Sequence, residues 1–219
     1  MQFSILRKEL KAIARFSATK DIRHYICGVH VVQDNRGTYV EATNGHVLGR
    51  LLIDETPKQA AQATIPNEAI KALAGTARQG DEWLHFTIEG VKISVLSGNN
   101  TYTFQAVDGT FPDCDRVLPL VFKAEEIAPA AYNPEYLMAF QQAAQDIKNS
   151  KKGANCTLSI LQRGNLSVFK APITSINCGR LTTPSVATSG NIACSLDSNC
   201  SRNTVSTFAI IHSIHNQSL

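Results

Sequence analysis

A short strand, an amphipathic helix and a run of strands recur three times along these 219 residues. Self-similarity of this kind means one supersecondary unit repeated, in which each copy needs its neighbours to bury its apolar face. In the first copy FSIL, from Phe3 to Leu6, leads into RKELKAIARFSA, where Leu6, Leu10 and Ile13 fall on one helical face. YICGVHVVQD, GTYVEATNG and HVLGRLLID then read as three strands. Asp34, Asn35 and Gly37 supply the first turn, and Asn44-Gly45 is a two-residue hairpin signal for the second.

The second copy opens at QATI and enters a helix at PNEAIKALAG, with Pro66 near the first turn, Ile70 and Leu73 on the buried side and Gly75 as the stop. WLHFTIEG, VKISVLSG and NTYTFQAVD follow, divided by Glu89-Gly90 and Gly98-Asn99-Asn100. The third runs from EEIAPAAY into NPEYLMAFQQAAQDI, where Leu137, Phe140, Ala144 and Ile147 share a face. After the basic loop KNSKKG, CTLSILQ and NLSVFKAP form a hairpin whose hydrophobic phase matches that of WLHFTIEGVKISVLSG. The reading is an α+β architecture of three βαβββ units.

From Ser175 the character changes: the segment is crowded with Ser, Thr and Asn, and Arg180, Asp197 and Arg202 are its only charges. Its strand-like piece is VSTFAIIHSI. The six cysteines, Cys27, Cys114, Cys156, Cys178, Cys194 and Cys200, form no C-x-x-C pair, so they read as reduced thiols.

Charge narrows the function classes. The net charge is +3, and its distribution matters more than its size. Arg7, Lys11 and Arg15 recur every four residues and, joined by Lys8, read as one stripe opposite the Leu6-Leu10-Ile13 side, with only Glu9 opposing them. Lys148, Lys151 and Lys152 add positive charge at the end of the third helix. Such stripes are either solvated surface or a track for phosphates, with affinity that falls as salt rises. The N-terminus has no signal-peptide core and no run of apolar residues is long enough to span a bilayer, which points to a cytoplasmic protein.

Catalysis has little to stand on. Asp113 with Asp115 and His212 with His215 are isolated pairs without a third partner, and there is no phosphate loop and no nucleophile elbow. A non-catalytic protein with no metal and no cofactor is expected, with Asp113 as a turn residue.

The stretch VDGTFPDCDRVLP, Val107 to Pro119, resembles the D-G-x-F-P-D-x-x-R-V-L-P segment that ends the middle domain of bacterial DNA sliding clamps, the beta subunit of DNA polymerase III. DIRHYICGV is similar to that family's D-x-R-Y-Y-L-x-G-x stretch, and EATNGHVLGR to its A-T-D-G-H-R-L segment, with Val47 in place of the usual Arg. YNPEYLMAFQQAA resembles the start of a helix in the last domain.

The resemblance implies a DNA-clamp fold of βαβββ half-domains, about one and a half clamp domains. Residues 1–120 match a middle domain, 121–174 the second half of a last domain, and 175–219 form the Ser/Thr/Asn-rich tail. It further implies a homo-oligomeric, non-catalytic accessory subunit that associates with double-stranded DNA without reading sequence and holds a DNA polymerase and other clamp-binding peptides. DNA-facing positions would be Arg7, Lys8, Lys11, Arg15, His24, Tyr25, Lys148, Lys151 and Lys152. A hydrophobic peptide pocket would use Ile26, Thr43, Gly45, His46, Leu48, Pro112, Arg116 and Val117. A second reading is a clamp-derived adaptor that binds partner peptides without encircling DNA.

Overall fold

The computed structural model describes residues 1–74, 82–116, 133–148, 159–163, 166–170 and 206–211. Strand β1 (Gln2–Leu6) runs directly into helix α1 (Arg7–Ala14), followed by the meander β2 (Gly28–Asp34), β3 (Gly37–Thr43) and β4 (Val47–Asp54). The second copy repeats this order as β5 (Ala61–Pro66), α2 (Asn67–Leu73), β6 (Trp83–Glu89), β7 (Lys92–Ser97) and β8 (Asn100–Gln105). The third contributes α3 (Pro134–Lys148), β9 (Ser159–Arg163), β10 (Leu166–Lys170) and β11 (Ser206–Ile211). Its expected first strand, EEIAPAAY, lies outside the described residues. The fold is therefore α+β and built on the repeated unit. Because β11 falls within the Ser/Thr/Asn-rich segment, the sheet continues past residue 174.

Two local expectations change. Helix α1 stops at Ala14, short of RKELKAIARFSA, because Arg15, Phe16 and Ser17 donate to carbonyls three residues back and tighten the last turn. The stretch around Tyr25 is no strand: His24–Ile26 is a 3-10 turn, closed by the Cys27 N–H on the His24 carbonyl at 2.9 Å.

The first strands are exchanged between units. β1 pairs antiparallel with β6, giving the sheet order β1-β6-β7-β8, and β5 pairs with β2 in the larger sheet, β5-β2-β3-β4-β11-β10-β9. Stacked rings of Phe3 and Phe86, 4.8 Å apart, reinforce the first exchange.

Both sheets pack their inner faces on one core. From α1 come Leu10 and Ile13 and, just beyond it, Phe16; the sheets supply Val29, Val31, Val40, Ala42 and Leu51 on one side and Ile5, Leu84, Phe86, Ile93 and Val95 on the other. Phe16 is fully buried, packs on Phe140 of α3 at 5.0 Å between ring centroids, and lies across the backbone of Gly49.

The two outer faces differ. Strands β6 and β7 alternate buried and exposed, the pattern of a sheet wet on one side, whereas β2 and β3 are buried nearly throughout. The outer face of the larger sheet carries a polar row across four strands: Thr64 on β5, His30 on β2, Glu41 on β3 and Arg50 on β4 stand in register. His30 Nδ1 lies 3.0 Å from the Thr64 hydroxyl, and Phe111 stacks flat on its ring at 4.4 Å. Burial pushes the His30 imidazole down to about 4, opposed only by a hydrogen bond with Gln62. Burial pushes the Glu41 carboxyl up, and Arg50 pulls against that rise.

Two outcomes are expected. A methyl group added at Gly49 would lie 2.3 Å from the Phe16 ring, so Gly49→Ala should lower unfolding free energy by about 1–3 kcal/mol in a urea titration. An unchanged midpoint would mean that Phe16 moves aside freely. For His30, the folded pKa lies below that of the unfolded chain, so acid protonates the unfolded state first. Its contribution is complete above about pH 6.5 and is lost as pH falls toward about 4, with a slope approaching about 1.4 kcal/mol per pH unit. Glu41, with its raised pKa, acts in the opposite sense. The comparison is therefore stability against pH for wild type and His30→Gln, whose difference should shrink on acidification; a constant difference would count against a neutral buried His30.

Candidate functional site

The segment Asp108–Arg116 leaves β8, crosses to the outer face of the larger sheet and straps it. Ala106 donates to the Val91 carbonyl at 2.7 Å and Val107 to the Thr64 carbonyl at 2.9 Å, which aims the chain across β5. Gly109 then passes over Tyr25 with φ of 121°, and a Cβ there would sit 2.9 Å from the Tyr25 Cβ, so this position of the motif requires glycine. Phe111 and Cys114 close over Ala18, Ile26 and Leu48, forming a second, small apolar cluster.

Charge pins the far end of the strap. Cys114–Arg116 is a 3-10 turn, and the Asp113 carboxylate accepts from the Asp115 N–H at 3.0 Å, the turn role expected of Asp113. Asp115 sits between Arg36 at 2.7 Å and Arg50 at 2.6 Å; Arg36 also pairs with Asp34, and Arg50 with Glu41. The Tyr39 ring lies beneath both guanidinium groups, 5.4 and 5.3 Å from its centroid. Hydrogen bonds from Arg36 and then Arg50 hold the Asp115 carboxyl down at about 2. Burial pushes the Cys114 thiol up, with Glu41 adding to the effect. Asp115 is thus an anchor.

Peptide-pocket candidates separate into three groups. Ile26 and Leu48 are each 1% exposed, so the apolar surface expected to meet a peptide is already covered by Phe111 and Cys114. Thr43, Gly45 and His46 belong to the β3–β4 turn. There the Thr43 hydroxyl donates to the Val47 carbonyl at 2.7 Å and accepts from the Gly45 N–H at 3.0 Å, and Gly45 has φ of 91°. His46 is exposed and stacks on Tyr136 of α3 at 5.8 Å, a neighbour that no local sequence signal points to. Pro112 and Arg116 are exposed on the strap, and Val117 lies outside the described residues.

The basic stripe is rearranged. Arg7 is 5% exposed; it donates to Glu82 at 2.8 Å, to the Ser97 hydroxyl at 2.6 Å and to the Leu73 carbonyl. It is therefore an internal tie between α1 and the second unit and no part of a solvent-facing stripe, which corrects the expectation. Lys11 and Arg15 are exposed, but both converge on Asp146 of α3, at 3.5 and 2.5 Å, and Arg15 also donates to Gln142. Lys8 is half-buried. His24 is exposed and Tyr25 half-buried, their rings meeting edge to face at 6.0 Å. Lys148 ends α3, and Lys151 and Lys152 lie outside the described residues, as do His212 and His215. Among the described residues Cys27 and Cys114 are free thiols, and no helix is long and apolar enough to cross a membrane.

The strap and its sheet coincide with a known family. The model described as DNA polymerase III beta subunit, central domain, matches residues 2–113. The beta sliding clamp of Pseudomonas aeruginosa is 34% identical over 126 residues, covering 54% of this chain and 34% of that protein. That of Salmonella typhimurium is 30% identical over 117 residues, covering 51% of this chain and 31% of its own length. This chain therefore spans about a third of those curated relatives. Among solved structures, DNA polymerase III subunit beta from Pseudomonas aeruginosa aligns with 78% of this chain and 47% of its own, at 22% identity and a TM-score of 0.48. With its central-domain match covering both exchanged units and reaching into the strap, the chain belongs to the DNA polymerase III beta subunit family.

Proposed function

We propose that this chain is a cytoplasmic, non-catalytic, sliding-clamp-like processivity factor that associates with duplex DNA without reading sequence and tethers a DNA polymerase through a hydrophobic peptide site. The observation that carries it is the family match over 2–113, which takes in both exchanged units and most of the strap. In this reading residues 1–120 act as the clamp domain, 121–174 begin a partial one, and β11 supplies its third strand. The peptide site in this reading draws on exposed side chains of the β3–β4 turn and the strap, His46, which stacks on Tyr136, and Pro112 and Arg116. DNA contact falls to Lys11, Arg15, His24 and Tyr25 with the Lys148, Lys151 and Lys152 group, and Lys8 beside them.

One observation favours the adaptor reading, in which partner peptides bind without duplex DNA. Asp146 pairs with both Lys11 and Arg15, and the buried Arg7 pairs with Glu82, so part of the basic charge on and just beyond α1 is already matched by carboxylates of the protein.

Anisotropy of a fluorescein-labelled duplex against salt separates the two. A processivity factor should bind with log affinity falling linearly in log salt, and each of Lys11→Ala and Arg15→Ala should reduce the slope by about 0.9. Asp146→Asn should raise duplex affinity several-fold by releasing both cations. An adaptor would ignore the duplex in all variants yet bind a labelled short hydrophobic peptide, with His46→Ala and Arg116→Ala each weakening that binding. Failure to bind either probe would remove both readings.

A further inference from the structure

What holds the strap changes in kind along its length. Phe111 and Cys114 are seated by burial, Phe111 flat on His30 and both among Ala18, Ile26 and Leu48. Pro112 lies between these two seated residues. Beyond Cys114 the chain turns outward, and Asp115 and Arg116 are both exposed. Among the described residues, the polar contacts that tie this end to the sheet are the ion pairs of Asp115 with Arg36, at 2.7 Å, and with Arg50, at 2.6 Å.

The seat that receives Asp115 is built from the sheet side. Arg36 stands in the β2–β3 turn, where Asp34 accepts from its backbone N–H at 2.7 Å and from its Nε at 2.9 Å, so the guanidinium is already aimed. Arg50 is fixed in the same way by Glu41, its cross-strand partner. Tyr39 carries both groups on its ring. Asp115 gives one oxygen to each, Oδ2 to Arg36 and Oδ1 to Arg50, which fixes the plane of the carboxylate as well as its place. The segment D-G-x-F-P-D-x-x-R leaves the position of Asp115 unspecified, so this clamp belongs to the present sequence and not to the motif.

We propose, resting on the peptide-site reading above, that Arg36, Arg50 and Asp115 form a clasp that positions Arg116 for a partner peptide without themselves touching the peptide. A group held where its ligand needs it has less freedom to lose on binding. Arg116 follows Asp115 directly and takes its position from the clasp, whereas Pro112 takes its own from Phe111 and Cys114. The clasp is open to salt, because the Arg36 and Asp115 side chains are 41% and 40% exposed. Peptide binding therefore weakens with ionic strength even when the peptide carries no charge.

Calorimetric titration of the full chain with an acetylated, amidated hydrophobic peptide that has no charged residue tests this. Asp115→Asn and Arg36→Ala should each weaken binding about fivefold, the scale of a half-exposed ion pair, and Arg36→Lys, which keeps the charge without the fork, should fall between. Wild-type affinity should drop from low to high salt while that of Asp115→Asn stays level. In an Arg116→Ala background Asp115→Asn should cost nothing more, and in a Pro112→Ala background it should cost the same as in wild type. A general structural role would instead weaken binding equally in both backgrounds, which would overturn the proposal. Wild-type binding that Asp115→Asn and Arg36→Ala leave unchanged would overturn it too, with the peptide site intact. A wild type that ignores the peptide would remove the peptide site and the clasp's role in it together.

Discussion

Neither complete sheet could exist from a single repeat, because β1 leaves its own unit for the sheet of the second and β5 returns the exchange. Each unit alone would leave the edges of β2 and β6 unpaired and its helix without half of the core that covers it. Exchange joins the N-terminus of the chain to residues some eighty positions away, as in the Phe3–Phe86 stack and the Met1 amine on the Ile88 carbonyl. It also explains the buried Arg7. At the first turn of α1 it stands where β1 enters the foreign sheet, and its three partners, Glu82, Ser97 and the Leu73 carbonyl, all come from the second unit. A charge so deeply buried persists only because the guanidinium meets oxygen from several directions.

With the exchange in place, the strap has a fixed surface to lie on. Its sheet is apolar toward α1 and polar on the other face, and the row of Thr64, His30, Glu41 and Arg50 would be costly to bury without partners. Phe111 covers His30, Cys114 approaches Glu41, and Asp115 completes the coordination of Arg50. Three residues of the D-G-x-F-P-D stretch thus have physical roles, with glycine allowing passage over Tyr25, phenylalanine covering the imidazole face and the second aspartate closing the turn. Ordering this segment places Pro112 and Arg116 on the surface at defined positions. The peptide site proposed above would inherit that order.

The repeat, the hairpins and the α+β class are legible because they rest on local signals, hydrophobic period and turn residues such as Asn44-Gly45. The exchange is not, since no local pattern says which sheet a five-residue strand will join. Arg7 escapes the stripe for a geometric reason: it lies three residues before Leu10 and so shares the core side of α1. The capture of Lys11 and Arg15 by Asp146 depends on a helix more than a hundred residues away. Glu41 and Arg50 are within reach of pattern, because they stand at equal distances from the β3–β4 turn and opposite charges in that register form a cross-strand pair. Ile26 belongs to the expected neighbourhood but not to a strand, since a 3-10 turn is what lowers it beneath the strap.

The boundaries between units are not equal in what must break to open them. Units one and two are interlocked, so separating them means withdrawing β1 and β5 from foreign sheets, exposing the Phe3–Phe86 stack and leaving Arg7 without oxygen partners. Units one and three meet side by side, through the β4–β11 ladder, the Phe16–Phe140 contact and the ion pairs of Asp146. Opening that boundary breaks one ladder and leaves both neighbouring meanders whole. Local stability should follow this difference, with the interlocked pair as the cooperative body and the third unit as the part that opens first. Lys11 and Arg15 lie on the weaker boundary. Their availability to any polyanion is therefore coupled to how firmly α3 is held, which places control of the α1 charge in the packing of Phe140 and Asp146 rather than in α1 itself.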